Sequence, residues 1–532
     1  MPTQKRTGAD RLIVYAAALA GMLCAATAQT IYPPPIQWQQ SFGGTNDDRL
    51  RWLEQTADGG FLLGGFSNSG ASGNKSSANF GNYDFWIVRT DINGNKLWDR
   101  SYGGTGEDVL YNLRQTSDGA FILGGYSLSP AGGNKTSPNY GGYDLWVVRT
   151  DNTGNKLWDR SFGGTGDDYL RVLRQTSDGG FILGGQSLSG PSGNKTSPLY
   201  GTNDFWVVRL DVNGNKLWDR SFGGTGPDRV QELQQTSDGG FIVGGVSFSP
   251  PSGNKTAVNY GLNDMWLVRL DANGNKLWDH SYGGTDNDEL LSLQQTLDGG
   301  FILGGFSFSD VSGNKTNASL RVGYTDFWII RTDASGNKLW DHSYGGRTSD
   351  SCRSLQQTSD GGFICGGVSD STVSGNKTAP YYGGVADFWV VRTDINGNKL
   401  WDQSYGGAGD DGIWSLQQTF DGGYIFGGGS DSLPGGNKTS SNYGTYDFWI
   451  VKLAPDVARL RAPLQSGASL RTNGFRLFLS GVSNNYYRTE VSSDGANWTF
   501  LQTNQAAGTE TAIIDRSATN SPARIYRARL LP

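Results

Sequence analysis

The chain has 532 residues, 80 of them Gly and 17 Trp, and its 44 basic and 50 acidic side chains leave a net charge of −6. That length exceeds one ordinary core, and so many Gly and Trp favour a repeat architecture of dense turns and large buried rings. The mild negative charge supplies neither the basic footprint of a nucleic-acid binder nor a polybasic patch for anionic membrane.

At the N-terminus, Lys5, Arg6 and Arg11 accompany an apolar stretch over 12–20, and Ala26-Thr27-Ala28 is a small-x-small site. This pattern predicts a secretory signal peptide over 1–28, cleaved after Ala28. Cys24 follows Leu23, too large for the residue usually found before a lipidated cysteine. No later apolar run is long enough to span a bilayer. A secreted or cell-surface protein without a transmembrane segment is expected.

From there the chain repeats. The Asp of a D-G-G/A turn recurs at Asp58, Asp118, Asp178, Asp238, Asp298, Asp360 and Asp421, at spacings of 60, 60, 60, 60, 62 and 61. The Trp of D-F-W keeps the same spacings, from Trp86 to Trp449. Each copy carries four strand signals, in the third copy over 169–176, 180–187, 204–211 and 215–223. Two turns, S-D-G-G and D-x-N-G-N, have hairpin chemistry because Asn, Asp and Gly tolerate positive φ. Four strands per unit at such a period predict a β-propeller blade. The runs F-I-L-G-G and F-W-V-V-R-L are apolar at consecutive residues, as in a sheet covered on both faces. A β-solenoid would need shorter rungs, and independent sixty-residue sandwiches would be marginally stable.

The seventh copy ends at its third strand, near Leu453, and the pattern breaks at Ala454-Pro455. A spare outer strand precedes the first copy, from Ile36-Gln37-Trp38 to Gly43-Gly44. The N-terminal strand is therefore expected to complete the seventh blade and remove the open edges. The fold class follows: all-β, a seven-bladed β-propeller over 29–455 closed by the N-terminal strand. Residues 456–532 read as a small β-sandwich, with alternating stretches at 476–480, 486–491 and 525–530 and a turn at 492–498.

Runs such as Gln175-Thr176-Ser177-Asp178-Gly179-Gly180-Phe181-Ile182 and Asn203-Asp204-Phe205-Trp206-Val207-Val208-Arg209 resemble the repeats of secreted bacterial propeller proteins of unassigned role. The resemblance implies fold and compartment, and a C-terminal module used for sorting or attachment. It implies no activity.

Two repeated features are candidate sites. The link into each inner strand ends in Asp48, Asp108, Asp168, Asp228, Asp288, Asp350 and Asp411. In three copies it matches a calcium nonapeptide, as in Gly163-Gly164-Thr165-Gly166-Asp167-Asp168. These carboxylates are expected either to cap turn amides or to form a ring of hard Ca²⁺ ligands at the channel mouth. The long loop between second and third strands carries Asn74-Lys75, Asn134-Lys135, Asn194-Lys195, Asn254-Lys255, Asn314-Lys315, Asn376-Lys377 and Asn437-Lys438. An aromatic follows at Phe80, Tyr140, Tyr200, Tyr260, Tyr324, Tyr382 and Tyr443. Asn, Lys and ring either organise the loop or form seven shallow ligand sites. All seven Asn-Lys-Ser/Thr triplets also fit the N-glycosylation sequon.

No catalytic constellation stands out. His280 and His342 take a position that is Arg100, Arg160, Arg220 and Gln403 elsewhere. Cys352 and Cys365 replace core aliphatics and are expected as free thiols about 13 Å apart, with Cys365 opposite Gln356. The function read from these features is a non-enzymatic binding or scaffold propeller, monomeric, meeting an extracellular polymer, glycan or protein and no nucleic acid. The alternatives are a calcium-binding propeller and, behind it, a glycan-cleaving enzyme. No cofactor other than calcium is implied.

Overall fold

The computed structural model describes residues 33–455 without interruption. Beyond them it describes the strands Val14–Ala17, Arg459–Arg461, Phe475–Ser480, Tyr486–Ser492, Thr499–Gln505, Glu510–Asp515 and Ala523–Leu530. Residues 33–455 form seven four-stranded antiparallel sheets. The first blade runs Asp48–Gln55, Phe61–Ser67, Asp84–Thr90, Lys96–Tyr102, from inner to outer strand. Its second and third strands are buried at every residue, because neighbouring blades cover both faces, and so the expected lack of alternation holds. Strand boundaries fall within a residue of those read from the sequence.

The core lies between blades. Phe85 meets Trp146 of the next blade with ring centroids 4.6 Å apart, and Phe388 meets Trp449 in the same way. Tilted ring pairs of this kind recur at five interfaces, and Leu145 and Met265 take the place of the Phe at the other two, so large side chains supply both buried area and a fixed geometry. The second Gly of the F-I-L-G-G strand lets the inner strand approach, since a Cβ on Gly65 would collide with the Arg49 carbonyl.

The ring closes as the sequence predicts. Ile36–Phe42 pairs antiparallel with Asp447–Leu453, with Ile36 opposite Leu453 and Phe42 opposite Phe448. Trp86 of the first blade stacks on Phe448 of the last at 4.5 Å. The inner strand Asp411–Gln418 lies beside Asp48–Gln55, where Leu53 N donates to Ser415 Oγ at 3.2 Å. No sheet edge is left open between first and last blades.

Every inner strand carries a β-bulge at the same place. The ladder skips one residue, which is Arg51, Tyr111, Arg171, Gln231, Leu291, Arg353 and Trp414 in turn. This shift was not legible in the sequence, and it corrects the cysteine register. Cys365 faces Leu355 rather than Gln356, and Cys352 faces Gly367. Both thiols are free and buried. They are neighbours rather than about 13 Å apart: burial pushes the Cys352 thiol up, and the adjoining Cys365 adds to the shift.

The C-terminal strands form two sheets. One orders Val14–Ala17, Ala523–Leu530, Tyr486–Ser492 and Thr499–Gln505, the other Arg459–Arg461, Phe475–Ser480 and Glu510–Asp515. Within the proposed signal peptide, Val14–Ala17 pairs with Ala523–Tyr526. The Ala28 cleavage site, Cys24 and residues 493–498 lie outside the described residues. Among the described residues no helix is long and apolar enough to cross a membrane.

Candidate functional site

In each blade the chain enters the inner strand, leaves the second strand and enters the third at one face of the disc. Asp48 pairs with Ser67, and Ser67 with Asp84, so link and long loop share that face. The link aspartates and the Asn-Lys-aromatic loops therefore lie on this one face.

The seven link aspartates are capping residues. Asp48 Oδ2 accepts Gly44 N at 2.7 Å and Ser69 Oγ at 2.9 Å. Asp108, Asp168, Asp228, Asp288, Asp350 and Asp411 repeat both bonds. All seven are fully buried, so their carboxylates are not open to the channel. Among the described residues, no three His, Cys, Asp or Glu side chains converge as a metal site would.

Each link aspartate instead faces a second carboxylate, the Asp that opens the third strand of the preceding blade. Asp144 and Asp168 flank Gly163, where a Cβ would collide with Asp144 Oδ1. The Oδ1 atoms of both lack a hydrogen-bond partner. Burial, then the like charge of Asp168, pushes the Asp144 carboxyl up to about 7, although Tyr140 N and Lys135 pull the other way. The same holds at Asp84, Asp264, Asp326, Asp387 and Asp447, each about 7, and at Asp204, about 6.

The Asn-Lys pairs are turned inward. Asn194 Oδ1 accepts Gly163 N and its Nδ2 donates to Ser161 O, both at 2.9 Å, stapling the loop to the link. Asn74, Asn134, Asn254, Asn314, Asn376 and Asn437 do likewise. Such engaged amides are poor glycosylation acceptors in the folded chain. Lys195 is 2% exposed, donates to Ser197 O at 2.7 Å and Ser221 Oγ at 3.1 Å, and sits 5.6 Å over the Trp206 ring. Lys75, Lys135, Lys255, Lys315, Lys377 and Lys438 are buried over their own tryptophans in the same way. Presentation of seven amides and ammonium groups to a ligand is therefore corrected: these groups hold the loop.

Of the Asn, Lys and aromatic side chains, the aromatics are the most exposed. Phe80, Tyr140, Tyr200, Tyr260 and Tyr443 are between 36% and 40% exposed. Tyr140 Cβ lies over Gly193 of the next loop, so each ring also clamps its neighbour. In the fifth blade Leu320 rather than Tyr324 takes this place, donating its N–H to Asp326 at 2.8 Å and packing on Gly375.

The histidines lie on two different outer strands, over Trp278 and Trp340, each 3.1 Å from a carbonyl of the next blade's turn. What the sequence reading missed is the inner strand. Its bulge residues change from blade to blade and line a central cavity of about 350 Å³. The signal was present as a variable column of the repeat, but only the bulge shows that this column faces the channel.

No protein-family model matches the chain. Over 215 residues it is 29% identical to "Regulatory protein FlaEY" of Caulobacter vibrioides, an alignment covering 38% of this chain and 22% of that protein. The chain thus spans about a fifth of that curated relative. Among solved structures, Sqt1 from Chaetomium thermophilum aligns at TM-score 0.38 and 11% identity, covering 83% of this chain and 96% of that one. A Synechocystis apocarotenoid oxygenase mutant aligns at TM-score 0.36 and 9% identity, covering 91% and 98%. An ancestral GH74 enzyme aligns at TM-score 0.22 and 11% identity, covering 89% and 78%.

Proposed function

We propose that this protein is a non-enzymatic binding or scaffold propeller, exported from the cell, whose long-loop face meets a surface polymer, glycan or protein. The observation that supports the reading is the set of five aromatic rings presented at equivalent places on the disc, while the lysines of the same loops are held inside. Rings on a fixed scaffold suit the apolar faces of sugar rings or of a protein partner. Repetition favours a repetitive ligand, because weak contacts sum when one polymer spans several blades. The C-terminal strands, as a small sandwich, would serve attachment or sorting.

Leu320 suggests the variant that separates binding from folding, since leucine already fills the clamp position in one blade. Tyr140→Leu, Tyr200→Leu and Tyr260→Leu together should keep the melting temperature and lower co-sedimentation with cell-surface polysaccharide at least tenfold. Equal binding by parent and triple variant would refute the assignment, as would failure of the parent to bind any surface polymer or protein. Release of new reducing ends during the incubation would favour a glycan-cleaving enzyme instead.

A further inference from the structure

We propose that the central channel is an anion-binding site, built by Arg51, Arg171 and Arg353 for a ligand that carries a multivalent oxyanion. The site is distinct from the long-loop aromatics and does not depend on them.

The argument begins with the bulge. A β-bulge places one extra residue on a strand and re-aims its side chain. Here the seven bulge residues all line the same cavity. Across the ring closure, five consecutive blades place Arg353, Trp414, Arg51, Tyr111 and Arg171 at this level. The Arg353 guanidinium lies 4.1 Å from the Trp414 ring centre, and Arg51 lies 3.8 Å from the same ring. Arg51 is also 5.1 Å from the Tyr111 ring, with Arg171 at 4.3 Å on that ring. Cation and aromatic alternate through five blades, which holds three guanidinium planes in place.

None of these three arginines has a carboxylate within ion-pair distance among the described residues. Arg51 Nε and Nη1, and Arg171 Nε, are buried without a hydrogen-bond acceptor. One tier further along the same strands, charge is balanced: Arg174 pairs with Glu232 at 2.5 Å, and Arg114 with Glu54 at 3.6 Å. Acids near the upper tier are already engaged: Asp167, which shares a pocket with Arg171, accepts Tyr169 Oη at 3.2 Å. Asp47 pairs with Arg49 at 2.9 Å, and Asp410 accepts Tyr446 Oη at 2.9 Å. The three side chains are half-buried, and guanidinium nitrogens withdrawn from water without an acceptor are costly, so the triad calls for an anion from outside.

The local potential bears the mark of that imbalance. Burial would raise the Tyr111 phenol, yet the charges of Arg171 and Arg51 outweigh it and hold the phenol below its ordinary value. Arg353 is lowered to about 10, by burial first and by Arg51 second. Guanidinium forks match the oxygens of phosphate, sulfate or carboxylate, and the cavity falls in the size range of small-ligand sites.

The test is calorimetric titration of the full chain with sodium pyrophosphate, sodium sulfate or sodium citrate at constant ionic strength. Saturable binding of one anion per chain is expected, with a melting temperature that rises with anion concentration. Arg51→Gln with Arg353→Gln should weaken binding at least tenfold, whereas Arg100→Gln, on an outer strand over Trp98, should leave it unchanged. If the double variant does not fold, Arg353→Lys keeps the charge, loses the fork and should weaken binding severalfold. Preference for pyrophosphate would identify a phosphate-bearing ligand, and preference for citrate a polycarboxylate. Absence of saturable binding by all three anions, or parental affinity in the variants, would overturn the site.

Discussion

Gln39 Oε1 accepts the indole N–H of Trp449 at 3.1 Å, across 410 residues of sequence. In the first six blades that acceptor is an aspartate of the outer strand, as Asp99 is for Trp86 and Asp219 for Trp206, both at 3.1 Å. Gln39 also accepts Thr439 N at 2.9 Å, again as those aspartates do for their own loops. The N-terminal strand thus reproduces the outer strand of a blade in chemistry as well as in position.

Removing it should therefore open the ring. Deletion of residues 31–44 exposes a strand edge and uncovers the Trp86–Phe448 interface. A melting temperature lower by about 10 °C or more, or aggregation, is expected in thermal denaturation. Gln39→Leu alone leaves a buried indole N–H without a partner and should cost about 1–3 kcal/mol. Parental stability in both variants would sink this account of closure.

The buried lysines make a prediction opposite to that of surface ligands. Lys195→Met keeps the side-chain stem but leaves Ser197 O and Ser221 Oγ without their donor and removes the cation facing Asp168, Asp204 and Asp219. A loss of about 1–3 kcal/mol is expected by urea denaturation. Truncating a solvent-exposed lysine would cost within about 0.5 kcal/mol.

Stability should depend on pH through the paired carboxyls. Asp84, Asp144, Asp264, Asp326, Asp387 and Asp447 sit at about 7 in the folded chain, against 3.8 for an ordinary aspartate. Their contribution is fully present below pH about 4 and is lost as pH rises through 7, because the folded chain must release protons from buried sites. The outer-strand aspartates, such as Asp159, act in the opposite sense: hydrogen bonds from Lys156 and Thr136 overcome their burial and hold them well down, so their contribution fades in acid. Maximum stability is expected near pH 4 to 5, with the melting temperature falling towards pH 8. Asp144→Asn removes one of these six sites and should flatten that fall by at most roughly one part in six. A melting temperature that rises from pH 5 to pH 8 would contradict the pairing.

Cys352 and Cys365 should stay unreactive while the propeller is folded. Both are fully buried, and the Cys352 thiol is pushed up, which disfavours the thiolate that reacts. Ellman's reagent should titrate neither cysteine in the native protein and both in 6 M guanidinium. Labelling of the native protein at the rate of the unfolded chain would show the interface to be open.

The sequence by itself determined what depends on periodicity. Seven D-G-G/A turns and seven D-x-W tryptophans set the blade count, and the leftover strand around Trp38 set how the ring closes, since both follow from counting strands. The common face of links and long loops is a consequence of the same alternation of strand direction. What only the tertiary structure decided is where side chains point. Asn194 and Lys195 have the composition of a polar surface loop, yet they lie inside because the Gly163 amide, the Ser161 carbonyl and the Trp206 ring come to them from elements distant in sequence. Arg51 and Arg171 stand 120 residues apart in strands that read as ordinary repeats. A bulge, invisible in the two-residue period of a strand, turns both into the channel and leaves their charge unpaired.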